Sequence, residues 1–248
     1  IPYNLLMYGI NDVFDYESDL RNPRKGGIEG DVVVDRERAR RVHRAIIVAS
    51  VATVVPMAVW LALQGGLAAG VTLVLVIFGV VAYSAPGLRF KERPVLDSIT
   101  SALHFAGPLI YALVLAGVSL GAPEVWPVWV AFVLWAMASH AFGAVQDVRA
   151  DREAGIASIA TVIGARRTVW LAMALYAASA AVLLFLPWPF LATAVLPLAY
   201  VASAARFTRI TDDTCEDANA GWKTFLWLNQ PVGFLVTLVL IAAWNGWA

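Results

Sequence analysis

The chemistry of this chain is concentrated in two short acidic stretches, Asn11-Asp12-Val13-Phe14-Asp15-Tyr16-Glu17-Ser18-Asp19 and Asp147-Val148-Arg149-Ala150-Asp151. On a helix Asp12, Asp15 and Asp19 fall at i, i+3 and i+7, and Asp147 and Asp151 at i and i+4, so each set shares a face. Like charges arranged this way repel, and they are tolerated only in free solvent or around a bound cation. Hard carboxylate oxygens in this number suit Mg²⁺, which keeps several waters and is held through one or two carboxylates together with substrate phosphate. The implied ligand is a polyphosphate, and the two acidic faces predict one shared site. Two cationic segments accompany them. Arg21-Asn22-Pro23-Arg24-Lys25-Gly26-Gly27 ends the first helix with Pro and Gly and offers three cations that can reach back to phosphate oxygens. Tyr83-Ser84-Ala85-Pro86-Gly87-Leu88-Arg89-Phe90-Lys91 turns at Pro86-Gly87 and adds Arg89 and Lys91. Alone these two would serve as topology signals; beside the aspartates they suit a diphosphate leaving group, which needs both metal and direct cationic stabilisation.

The elements that position these residues are written in the composition. Of 248 residues 60% are apolar and 15% charged, with a mean hydropathy of +0.71. Soluble domains are about 45–50% apolar and about 25% charged, so a soluble globular chain is excluded. A hydrocarbon core of about 30 Å takes roughly 20 apolar residues of helix, and seven uncharged stretches meet that length: 45–63, 66–83, 99–118, 125–145, 168–186, 189–205 and 224–244. The chain opens mid-run at residues 1–10, the expected tail of an eighth span, so residues 1–248 are predicted to be a single transmembrane domain that is incomplete at its N-terminus. All 18 cations fall in every second connection, and every acid but Glu124 joins them. The positive-inside rule places those connections in the cytoplasm of a prokaryotic cell membrane. Trp60, Trp126, Trp129, Trp188, Trp244 and Trp247 sit near the uncharged ends, where indole favours the headgroup layer. Zero net charge offers nothing to nucleic acid, and Cys215, the one cysteine, supports neither a disulfide nor a thiolate zinc site.

These motifs resemble the UbiA-type intramembrane prenyltransferases, whose signatures are N-D-x-x-D-x-x-x-D and a later D-x-x-x-D. Asn11, Asp12, Asp15 and Asp19 match the first, and Asp147 and Asp151 the second, followed by Gly155 and Ile159-Ala160-Thr161-Val162-Ile163-Gly164. Tyr83 to Lys91 is similar to the family's cationic loop. The resemblance implies an all-α bundle, usually of nine spans, around a cavity capped by the diphosphate at the cytoplasmic mouth, with the acceptor entering from the bilayer. By it, Asp12, Asp15, Asp19, Asp147 and Asp151 hold Mg²⁺, Asn11 orients an aspartate or water, and Arg21, Lys25, Arg89 and Lys91 meet the phosphates, Lys91 also counting as catalytic. With Asn229-Gln230-Pro231-Val232-Gly233-Phe234 the pattern most resembles the lycopene elongase branch. That implies an allylic donor, dimethylallyl diphosphate, and a hydrocarbon acceptor, lycopene or a related carotenoid; an aromatic or quinone-precursor acceptor is the alternative.

Inside the seven stretches the ionisable groups are His104 and His140, each able to relay a proton or to hydrogen-bond a neighbouring helix. Asn229 and Gln230 before Pro231 are expected to line a cavity or to join helices. Two rivals fit less well. A CDP-alcohol phosphotransferase carries its aspartates in one continuous glycine-containing motif. A secondary transporter places acids within broken spans, whereas these acids lie at one interface. The loop Thr211-Asp212-Asp213-Thr214-Cys215-Glu216-Asp217 is crowded and turn-like, and is expected to be solvated.

Overall fold

A computed structural model describes residues 2–20 and 32–246. Among the described residues the fold is all-helical, as expected. It divides into two compact units, residues 1–90 with 114–116, and residues 91–113 with 117–248. Arg21, Arg24, Lys25 and Trp247 lie outside the described residues.

The first unit is built from α1 (Pro2–Asp19) packed against α2 (Arg36–Ser84). Asp35 opens α2 by accepting the backbone N–H of Arg38 at 2.6 Å, which satisfies one of the donors a helix start leaves orphaned. The stretches 45–63 and 66–83 fall in two helices, as expected, that meet at a kink with no loop between them. They are divided by a single non-helical residue, Gly66 (φ 66, ψ −171), a conformation open to glycine because it has no Cβ.

The second unit follows from the cationic loop: α3 (Leu96–Leu115, in this unit through Leu113), α4 (Trp126–Val145), α5 (Val148–Ala154), α6 (Ile159–Ile163), α7 (Ala165–Leu183), α8 (Leu196–Ala205) and α9 (Ala218–Trp244). Among the described residues, four helical stretches can cross a membrane by length and composition: Arg36–Ser84, Leu96–Leu115, Trp126–Val145 and Asp212–Trp244; Phe190–Ala205 is apolar but shorter. The expected span 189–205 begins as a 3₁₀ turn, Phe190–Val195, before α8. Pro187 and Pro189, which lack an N–H, stand just ahead of it.

Small residues let these helices approach. The contact of α4 with α7 is built on buried Ala138, Ala141, Ala165 and Ala172. It carries two interhelical hydrogen bonds: the Tyr176 hydroxyl donates to Ser139 Oγ at 3.1 Å and Ser179 Oγ to the Ala131 carbonyl at 2.8 Å. Gly221 of α9 lies against the rings of Phe142 and Phe207, so close that a Cβ there would stand 2.7 and 2.6 Å from them. Large apolar side chains face outward instead; Leu67 is 86% and Trp244 91% exposed. Lipid is the solvent that makes such a surface stable.

Candidate active site

The first carboxylate set rides on α1, which runs helically through Asp12, Asp15 and Asp19. The three lie along one face over about 10 Å of helix axis. Residues beside and behind that face anchor the helix: the Tyr16 hydroxyl donates to the Val33 carbonyl at 3.0 Å, its ring meets His43 edge-on at 4.9 Å, and Arg36 forks onto both oxygens of Glu17. Glu17 is thereby a tether, and the aspartate face is fixed in rotation about the helix axis.

Onto that face the structure brings the loop that closes α2. Ser84 Oγ donates to Asn11 Oδ1 at 2.5 Å. Five residues on, the Arg89 guanidinium lies 3.6 Å from Asp15 Oδ1, with Asp15 itself only 5% exposed. Arg89 has a backbone φ of +39, which costs an L-residue about 1–3 kcal/mol and persists where surrounding contacts impose it. Its N–H bonds the Ala85 carbonyl at 3.0 Å, and its side chain is held beside Asp15. Lys91 lies just past it, half-buried in the 3₁₀ turn Phe90–Glu92 and already in the second unit.

The second set is carried by α5. Val145 ends α4, Asp147 occupies the N-cap position of α5, and Asp151 sits in its first turn, both half-buried. Gly155, at φ 72, stops α5 and gives its N–H to the Arg152 carbonyl. The cations of this short helix turn away toward the loop before α9: Arg149 meets Glu216 at 2.6 Å and Arg152 meets Asp212 at 2.6 Å. Arg152 also donates to the Thr161 carbonyl, and Asp212 accepts the Ala165 N–H at 2.7 Å. That N–H and the Arg152 guanidinium hold the Asp212 carboxyl below the usual carboxylate range. The acidic loop is solvated as expected, with Asp213, Glu216 and Asp217 exposed, and it is also a clamp. It ties α5, the end of α6 and the start of α7 together. Gln146 completes it, bonding Asn219 through its amide oxygen and accepting the Cys215 thiol on its carbonyl.

One residue of this region escaped the sequence reading. Asp97, fully buried in the first turn of α3, accepts the N–H of Ser98 at 2.8 Å and that of Ile159 at 2.7 Å. It thus pins the entrance of α6, where Ser158 and Thr161 form a capping box. Ser98 Oγ lies 3.2 Å from His140 Nδ1, which places His140 in a helix-joining role. The available signal was an acid enclosed by apolar residues, Val95-Leu96-Asp97-Ser98-Ile99. Asn229 does both things expected of it: it accepts the Tyr200 hydroxyl at 2.8 Å and lines a cavity.

The donor chemistry fits a hard divalent cation. Within each unit, among the described residues, no three His, Cys, Asp or Glu side chains converge into a protein-only cage. Carboxylates strung along a helix face, with a guanidinium beside one of them, suit instead a metal that keeps its waters and completes its shell with phosphate.

The class these features define is a helical membrane protein with N-D-x-x-D-x-x-x-D and D-x-x-x-D at helix ends, the first set beside an arginine. The model of the UbiA prenyltransferase family matches residues 1–229, and the chain belongs to that family. It is 54% identical over 242 residues to the C(50) beta-cyclic carotenoids biosynthesis protein LbtBC of Dietzia sp., covering 97% of this chain and 55% of that protein. It is 49% identical over 242 residues to a lycopene elongase/hydratase of Corynebacterium glutamicum, covering 98% and 82%. A lycopene elongase/hydratase of Haloferax volcanii is 34% identical, covering 96% and 72%. The chain thus spans little more than half the length of the Dietzia relative. Among solved structures, a UbiA homolog from Archaeoglobus fulgidus bound to Cd²⁺ has the same fold, with a TM-score of 0.57 at 20% identity over 95% of this chain and 79% of that one.

Proposed function

We propose that the whole protein transfers a prenyl group from dimethylallyl diphosphate to lycopene or a related carotenoid, with Mg²⁺ and at the cytoplasmic face of the membrane. The observation that carries the reading is the meeting of Asp15, Arg89, Asn11 and Ser84. It places a cation beside a carboxylate face whose chemistry calls for metal and phosphate. The relatives named for carotenoid biosynthesis and lycopene elongation support the choice of acceptor. The confinement of cations to alternate connections supports the cytoplasmic placement.

On this reading Asp12, Asp15, Asp19, Asp147 and Asp151 would hold Mg²⁺, which would supply positive charge for the diphosphate leaving group. Asn11, fixed by Ser84, orients the aspartate face. Arg89 stands ready to donate to phosphate oxygens, and Lys91, Arg21 and Lys25 complete the cationic set. The bonding pair leaves with the diphosphate. The terminal carbon–carbon double bond of the acceptor then forms the new bond to the allylic carbon, and the resulting cation loses a proton or takes up water and then loses one. A hydrocarbon acceptor reaches the site through lipid and needs little polar recognition. The surrounding protein contributes positioning and dryness.

The test uses the full-length protein in membranes with Mg²⁺, dimethylallyl diphosphate and lycopene. Product masses should show a gain of one or two five-carbon units, absent with Asp12→Ala and Asp147→Ala. Prenylation of an aromatic or quinone precursor instead would discard the carotenoid acceptor; uptake of the diphosphate into vesicles without conversion would discard the enzyme.

A further inference from the structure

The second unit carries a half-open cavity of about 450 Å³ among α3, α4, α7, α8 and α9, bounded by Val128, Phe132, Trp135, Leu183, Tyr200 and Gly233 among others. This volume lies within the roughly 300–1,000 Å³ of small-molecule sites. Its lining is almost wholly apolar, and the hydroxyls that reach it are already engaged. Ser179 donates to the Ala131 carbonyl, Thr193 to the Phe190 carbonyl and Tyr200 to Asn229. A polar ligand would therefore forfeit its water hydrogen bonds there without being offered these donors in return. One wall is a set of packed rings, with Trp135 stacked on Phe132 at 5.7 Å and edge-on to Tyr200 at 5.7 Å. Flat aromatic faces suit a flat conjugated chain.

Depth decides which chain. Trp135 precedes Asp147 by twelve residues, and Val128 by nineteen, along the axis of α4. At 1.5 Å per residue the cavity starts about 18 Å from the carboxylates and extends to about 28 Å. A five-carbon donor bound by its diphosphate cannot reach it. A long linear acceptor whose near end sits at the carboxylates must put its other end somewhere at that depth.

We propose that this cavity holds the distal part of a long polyene acceptor and so makes the enzyme selective for acceptor length. The proposal rests on the functional reading above and adds a specificity-determining site on the far side of the bilayer. Gly233 offers a clean probe. It lines the cavity, and a Cβ built on it meets nothing within 4 Å. A side chain there starts into open space, and leucine favours helix over glycine.

The experiment compares wild type, Gly233→Ala, Gly233→Leu and, as a control that does not line the cavity, Gly79→Leu, whose Cβ also meets nothing. Each is assayed with lycopene and with 2,6-dimethyl-2-octene, a short hydrocarbon bearing the same terminal double bond. Binding of lycopene in detergent is followed by the shift of its absorption band. Gly233→Leu should lower kcat/KM for lycopene by about 10–200-fold, the range for a misfit of methylene size, and abolish the band shift. Gly233→Ala should fall between, and the short acceptor should stay within a factor of two throughout. Equal use of lycopene by Gly233→Leu and wild type overturns the proposal and leaves the cavity to a membrane lipid chain. An equal loss on both acceptors overturns it too. Should wild type bind lycopene in a Gly233-dependent way yet not elongate it, the site stands and the functional reading falls.

Discussion

Replacing Asp97 by asparagine tests whether the second carboxylate pair is held from below. Asp97 is 0% exposed and accepts two N–H groups, from Ser98 and Ile159. An amide keeps one accepting oxygen and turns an NH₂ toward the other donor. The substitution therefore removes one hydrogen bond to a charged group and orphans a buried N–H. Such a loss costs about 1.5–3 kcal/mol. For a chain of this size each kcal/mol moves Tm by about 2–4 °C, so thermal inactivation in detergent should shift down by roughly 3–12 °C. The loss falls on the entrance to α6, four residues after Gly155 ends the helix that carries Asp151. Titration with Mg²⁺ and diphosphate, followed by calorimetry well below Tm, should show weakened binding. Asp97→Ala, which orphans both donors, should melt lower still. An Asp97→Asn protein that melts with wild type and binds equally well would refute the reasoning, since the bond to Ile159 would then carry no load.

Asp12→Asn and Asp147→Asn are each expected to lower prenyl transfer about 10²–10³-fold, the cost of deleting one electrostatic group from a polar site, with Tm little changed; product formation against Mg²⁺ concentration checks both. The lowered pKa of Asp212 makes its clamp a source of stability that is fully present above the ordinary carboxylate value. It declines as pH falls below that value, where the unfolded chain takes up the proton first, and is gone once pH has passed the lowered value. Asp212→Asn should therefore flatten the most acidic limb of a Tm-against-pH curve and leave the shape above pH 5 unchanged. Gly221→Val should destabilise by about 1–3 kcal/mol through overpacking against Phe142 and Phe207, read as a lower Tm.

The helices and both acidic faces were legible because each is a local pattern: uncharged runs of bilayer length, and carboxylates at helical spacing on their flanks. Arg89 could be named as a phosphate partner from its loop, but its approach to Asp15 depends on how α1 packs on α2. Asp97 and Asp212 were beyond local reading. Their partners are backbone N–H groups, 62 and 47 residues away, and every residue except proline has one. A donor common to the whole chain leaves no mark in the sequence that could point to its acceptor. The solvated character of the acidic loop could be read, but its clamping role could not, since its arginine partners lie 67 and 60 residues upstream.

The break at Gly66 bears on how the protein enters the membrane. Unbroken, the 49-residue run would be a rod of about 74 Å, more than twice the hydrocarbon thickness. With the break, residues 45–88 form two apolar segments with no charge between Arg44 and Arg89. Insertion of such a pair carries no ionised side chain across the lipid, where each would cost about 2.5–3.5 kcal/mol at the midplane. All the polar cargo stays on the side where synthesis delivers it. The pair can therefore enter as one unit, with no translocation step, and the loop bearing Arg89 is left on the same side as Asp15.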